Sequence, residues 1–173
     1  IKWLTQLCEV LEYLHSQKPP ILHTDIKPAN IIITAEGDVC LIDFGISLYN
    51  TDVIKGLSEN YSSPEQYGNF QYLQYGTGEY CQLDERTDIY SLGASFYHIM
   101  TGVRPDVTNY EQPDISQYAL EYTDAFVNII SKSMKSDLGR RYRNASEMLK
   151  AIDDIKKHDS RYKRYIAVQV ISS

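Results

Sequence analysis

His23-Thr24-Asp25-Ile26-Lys27-Pro28-Ala29-Asn30, followed thirteen positions after Asn30 by Asp43-Phe44-Gly45, is the stretch on which the fold turns. Between the two lie Ile31-Ile32-Ile33-Thr34, the polar Ala35-Glu36-Gly37-Asp38 and the apolar Val39-Cys40-Leu41-Ile42. Two short apolar runs around a glycine-containing turn predict an antiparallel hairpin. Its open end sets the amide of Asn30 beside the carboxylate of Asp43, near a second carboxylate, Asp25. Two hard oxygen ligands, a candidate base and the cation of Lys27 are the set that Mg-dependent phosphoryl transfer uses.

The string H-x-D-x-K-x-x-N, with D-F-G at hairpin distance, resembles the catalytic and metal-binding loops of eukaryotic-like protein kinases. Further motifs follow in family order. Ser63-Pro64-Glu65 resembles the A-P-E end of an activation segment, with serine in the alanine slot. Asp88-Ile89-Tyr90-Ser91-Leu92-Gly93 resembles the start of the long buried helix of the large lobe. Arg141-Tyr142 resembles the arginine that pairs with the glutamate of A-P-E. The resemblance implies a mainly α fold, a kinase-like large lobe whose one small β-hairpin carries the catalytic and metal loops. Within residues 1–157 it places a catalytic loop at 23–30, an activation segment at 43–65 and a tyrosine-rich insertion at 66–86. A basic tail follows at 158–173.

The sequence holds no glycine-rich phosphate loop, no V-A-I-K lysine and no candidate for a glutamate-bearing small-lobe helix. The expectation is therefore a large lobe with its N-terminal small lobe absent. An opening isoleucine adds the expectation of a fragment, inactive by itself.

The resemblance implies a role for each matched residue. Asp25 is the catalytic base, and Lys27 neutralises charge on the transferring phosphoryl group. Asn30 and Asp43 hold Mg2+, while Ile32 and Ile42 form the floor under the adenine of ATP, which Lys27 also contacts. Ser58 is the substrate-loop hydroxyl that meets the catalytic aspartate and lysine, and lysine at position 27 is the serine/threonine-kinase pattern. Glu65 and Arg141 form a buried ion pair, Asp88 braces the catalytic loop, and His23 and Phe44 belong to the apolar stack between lobes. Thr24 departs from the family, where arginine usually receives an activation-loop phosphate. Threonine cannot pair with a phosphate dianion in that way, so activation is expected to depend less on loop phosphorylation. Ser47, Tyr49, Thr51 and Ser58 are candidate phosphosites.

Composition narrows the partners. A length of 173 residues and 43% apolar content fit one domain with a core. A net charge of -6 argues against nucleic acid. Cys8, Cys40 and Cys81 show neither zinc-ligand spacing nor an even count, which favours reduced thiols and a cytoplasmic setting. No apolar run reaches the about 18 residues that span a bilayer. The basic tail (Lys156, Lys157, Arg161, Lys163, Arg164) reads as a solvated helix end, or as a linker toward a membrane anchor.

The apolar spacing of Leu4, Leu7, Cys8, Leu11 and Leu14 predicts an amphipathic helix over 1–17, ended by Pro19-Pro20. Residues 46–65 show no period and read as loop, and 66–86 read as an irregular aromatic segment, either a docking surface or a lid over local core. Ile89–Met100 reads as a buried helix stopped by Gly102 and Pro105. Two more helices are predicted at 123–135 and 145–157, the second capped by Asn144 with Glu147 three residues on.

The partners expected are a protein substrate and a kinase small lobe, with self-association through the exposed inter-lobe surface as a further expectation. Two other functions compete with the kinase. One is a non-catalytic half-kinase that binds a partner through that surface. The other is a small-molecule phosphotransferase, against which Lys27, Ser63-Pro64-Glu65 and Asp88 to Ser91 count.

Overall fold

The computed structural model describes residues 1–43, 48–49, 57–108, 110–118 and 122–164, with nothing said of the side chains of 48–49. Phe44, Ser47 and Thr51, assigned roles above, lie outside the described residues, as does the tail from 165 onward.

Five α-helices carry the described fold: α1 (Lys2–His15), α2 (Pro64–Tyr75), α3 (Glu85–Thr101), α4 (Asp124–Ser133) and α5 (Ala145–His158). The expected hairpin pairs β2 (Ile31–Ile33) with β3 (Val39–Leu41), in the register Ile31 to Leu41 and Ile33 to Val39. The mainly α architecture with a small hairpin is thus the one found. α1 packs on α5 and on β3, and α3 packs on α4. Leu4, Leu7, Cys8 and Leu11 of α1 join Ile89, Leu92, Ile130, Met148 and Ile152 in one core. A Cβ on Gly93 would stand 2.7 Å from that of Ser133, so the glycine sets how closely α3 and α4 approach.

α3 runs through the centre, buried over Thr87 to Tyr97. It begins at Glu85, earlier than its apolar run suggests, because Asp84 caps it by accepting from the Arg86 N–H. Gly102 ends it in the left-handed conformation.

Two expectations are corrected. Residues 46–65 are not wholly loop: β4 (Leu48–Tyr49) pairs antiparallel with β1 (Ile21–Leu22), a second two-stranded sheet too short to leave a periodic signal. Residues 66–86 are not irregular throughout, since α2 occupies their first half. Ser63 caps α2 with a reciprocal box, its Oγ accepting from Gln66 N–H and its own N–H donating to the Gln66 side chain, with Pro64 at the first turn. The buried side chains of α2 are polar, Gln66 and Asn69, so no apolar stripe marks the helix. Residues 71–80 are exposed and cover no core.

α1 also fixes the hairpin from outside. Trp3 Nε1 donates to Gly37 O at 2.9 Å, and Gln6 donates to Asp38 Oδ1 at 2.8 Å while its carbonyl accepts from Val39 N at 3.2 Å. Among the described residues no helix is long and apolar enough to cross a membrane.

Candidate active site

The site forms where the chain leaves β1, makes one tight turn and enters the hairpin. Pro28–Asn30 form a single turn of 3-10 helix. Asn30 O accepts from Ile42 N at 2.9 Å, one step beyond the last ladder pair. That bond closes the hairpin's open end at Asn30 and Ile42, the residue before Asp43.

Asp25 is 5% exposed, and its carboxylate is met by Lys27, Asn30 and Ser58, all of the predicted set. Oδ2 accepts from Lys27 Nζ at 2.8 Å and from Asn30 Nδ2 at 3.1 Å, while Oδ1 accepts from the Ser58 hydroxyl. Lys27 Nζ also donates to Ser58 Oγ at 2.8 Å. A carboxylate this buried is costly unless its lone pairs are met, and here a cation, an amide and a hydroxyl meet them. Ser58 reaches the cluster from 33 residues away, so the loop before α2 is held against the catalytic loop.

The backbone around the carboxylate is strained. Thr24 has φ 63° and Asp43 has φ 65°. Aspartate tolerates this left-handed conformation, but a β-branched threonine is an outlier there and persists only where its surroundings hold it. Part of the hold is Asp88, fully buried at the start of α3. Its Oδ2 accepts from His23 N and its Oδ1 from Thr24 N, each at 2.8 Å. His15, which the sequence reading passed over, adds a third donor from α1, Nε2 to Asp88 Oδ2 at 2.9 Å. The signal for His15 lay in its end-of-helix position on a buried face, but its partner is 73 residues away.

His23 is fully buried and bridges two loops. A carbonyl only accepts, so the 3.2 Å contact with Ile42 O requires a proton on Nε2. Nδ1 is then the acceptor for Asp25 N at 3.3 Å. Ile32 and Ile42 are 47% and 37% exposed, an open apolar surface rather than core. Glu65 and Arg141 form a two-pronged ion pair, at 2.7 and 2.8 Å, with side chains 6% and 0% exposed. Arg141 also donates to the carbonyls of Lys135, Ser136 and Arg86.

These residues suit a Mg·nucleotide. Both amide hydrogens of Asn30 are engaged by Asp25, at Oδ2 and at the backbone O (2.9 Å). Its side-chain oxygen accepts no hydrogen bond among the described residues and is the end left for a cation. Asp43 is exposed and directly follows Ile42, whose N–H bonds Asn30 O. An amide oxygen and a single carboxylate are a typical protein share for Mg2+, whose remaining ligands are phosphates and water. No group of three or more His, Cys, Asp or Glu forms a metal cage among the described residues.

The family described as the protein kinase domain matches residues 1–173. A probable serine/threonine-protein kinase of Clostridium perfringens is 34% identical over 172 residues, covering 88% of this chain and 23% of that protein. One of Streptomyces coelicolor is 33% identical over 153 residues, covering 82% and 22%. The serine/threonine-protein kinase tousled-like 2 of Xenopus tropicalis is 32% identical over 122 residues, covering 66% and 18%. The chain spans about a fifth of the length of these relatives.

Proposed function

Because the chain belongs to the protein kinase domain family, we propose that it is the large lobe of a serine/threonine kinase. Its reaction is transfer of the γ-phosphoryl group of ATP to a protein hydroxyl. The observation that carries this reading is the closed network of Asp25, Lys27, Asn30 and Ser58. It joins a base, a cation and a substrate-side hydroxyl within hydrogen-bond reach.

Bound Mg·ATP supplies the electrophilic phosphorus and the charge-neutralising cation. Asp25 orients the incoming hydroxyl and takes its proton on a carboxylate oxygen. Lys27, 2.8 Å from that carboxylate, balances negative charge as it builds on the transferring group. Asn30 fixes Asp25 with its nitrogen and offers its oxygen to the metal with Asp43. Ser58 holds the substrate loop to the base. Ile32 and Ile42 give the adenine an apolar floor. Asp88 and His23 position the loop, and the Glu65–Arg141 pair anchors its far end. The phosphates also need a cover and a second cation, which the motifs of these 173 residues do not provide, so this chain by itself is expected to transfer phosphate very slowly. Its cysteines are free, which fits a reducing cytoplasmic compartment.

The test is Mg·ATP binding by calorimetry together with phosphorylation of a generic protein, using the full protein in which the chain occurs. Asp25→Asn is expected to abolish transfer while nucleotide still binds, and Asp43→Ala to weaken binding only when Mg2+ is present. Transfer at the level of the unmutated protein in both variants would sink the kinase reading.

A further inference from the structure

Gln66 is 1% exposed, and its amide faces two different backbone groups. Its Oε1 accepts from Ser63 N at 2.9 Å, the return half of the cap on α2. Its Nε2 donates to Thr24 O at 2.8 Å, across 42 residues. The two partners fix the amide's orientation, because an N–H needs an acceptor and a carbonyl needs a donor. Thr24 O belongs to the peptide that links Thr24 to Asp25, immediately after the strained φ of 63°. Asp88 grips Thr24 by its N–H and Gln66 grips it by its carbonyl.

We propose that Gln66 is a positioning residue for Asp25, tying the start of α2 to the catalytic loop and holding the Thr24 peptide in its left-handed conformation. The proposal rests on the kinase reading for its effect on catalysis, though the tie itself does not. Thr24 offers no charged group to bring loop and α2 together. The Gln66 amide supplies a neutral link between those segments. The link uses one side chain for two jobs, so a change in helix capping and a change in loop geometry must be separated experimentally.

Three variants separate them. Ser63→Ala removes the cap oxygen that receives Gln66 N and leaves both bonds of the Gln66 amide. Gln66→Met keeps the volume and removes both bonds. Gln66→Glu keeps an acceptor for Ser63 N but turns an acceptor toward Thr24 O, until a proton on the carboxyl lets it donate again. Amide hydrogen exchange on the full protein in which the chain occurs is the first readout and needs no activity. Gln66→Met is expected to speed exchange at Thr24 and Asp25 by about tenfold, with Ser63→Ala leaving those two amides protected. Gln66→Glu is expected to lose that protection at neutral pH and recover it as pH falls. In the full protein, Gln66→Met is expected to lower kcat by about 10- to 100-fold, a typical cost of misplaced catalytic groups, with KM for ATP unchanged. Protection at Thr24 and Asp25 in Gln66→Met that matches Ser63→Ala would overturn the proposal. Altered exchange in a protein that never transfers phosphate would uphold the tie and reject the kinase reading instead.

Discussion

At the scale of single residues, the proposed roles separate side chains assigned to the chemistry from those assigned to holding them. Lys27 is bonded to both Asp25 and Ser58, each at 2.8 Å, so its charge is directed onto the network. Lys27→Met is expected to lower kcat by about 100-fold or more. Ser58→Ala removes one acceptor for Lys27 and one donor to Asp25 and is expected to cost less, about tenfold. Steady-state kinetics at saturating ATP check the order, and a larger loss in Ser58→Ala than in Lys27→Met contradicts the roles assigned. The cluster of Asp25, Lys27 and Asn30 was legible because the three lie within six residues of one another. Ser58 was found only through resemblance, since 33 residues of chain separate it from its partner. His15 and Gln66 were missed because their partners lie 73 and 42 residues away, and neither spacing nor periodicity encodes contacts at that range.

At the scale of elements, the helices that announce themselves bury an apolar stripe, and the one that does not is held by its ends. α1 and α5 were legible from their spacing. α2 was not, although Ser63 and Gln66 stand at the offset of a capping box, because no apolar stripe follows the box and its buried side chains are polar. β4 escaped notice since a two-residue pairing with β1 is decided by tertiary packing. The start of α5 shows how much a cap carries. Asn144 Oδ1 accepts from Glu147 N at 2.9 Å, and the Glu147 carboxylate accepts from Arg143 N at 2.7 Å. Asn144→Ala is expected to lower stability by about 1 kcal/mol, read by urea denaturation. The Arg143 N–H bond is the main reason the Glu147 carboxyl titrates below its ordinary 4.5; burial opposes the shift and the Lys132 ammonium reinforces it. A lowered folded pKa means that the carboxylate stabilises above the unfolded value and that this share is lost as pH falls through the folded one. Glu147→Gln is therefore expected to flatten part of the stability loss below about pH 4.5, and an unchanged acid limb would deny the cap its role.

At the scale of the molecule, one ion pair joins parts that the core does not. α2 buries little apolar surface of its own, and Glu65 in its first turn reaches Arg141, in the segment between α4 and α5. Thr87 of α3 donates to the same carboxylate at 3.0 Å, and the guanidinium lies 4.9 Å from the Tyr90 ring centre. Breaking a buried pair from one side leaves the other charge uncompensated, at about 3–5 kcal/mol. The two sides are not equal here. Glu65→Gln strands a guanidinium that still donates to three carbonyls, whereas Arg141→Met removes the donor from those carbonyls and from Glu65 together. Arg141→Met is therefore expected near 5 kcal/mol and Glu65→Gln nearer 3, with the Glu65→Leu, Arg141→Met double variant milder than the sum because no charge is left alone. Denaturant midpoints measure all three. Because the Gln66 tie to Thr24 starts one residue after Glu65, releasing the pair is also expected to free the catalytic loop before the core melts. Hydrogen exchange at Thr24 and Asp25 that rises below the denaturation midpoint in Glu65→Gln would show that coupling, and exchange that rises only with global unfolding would refute it.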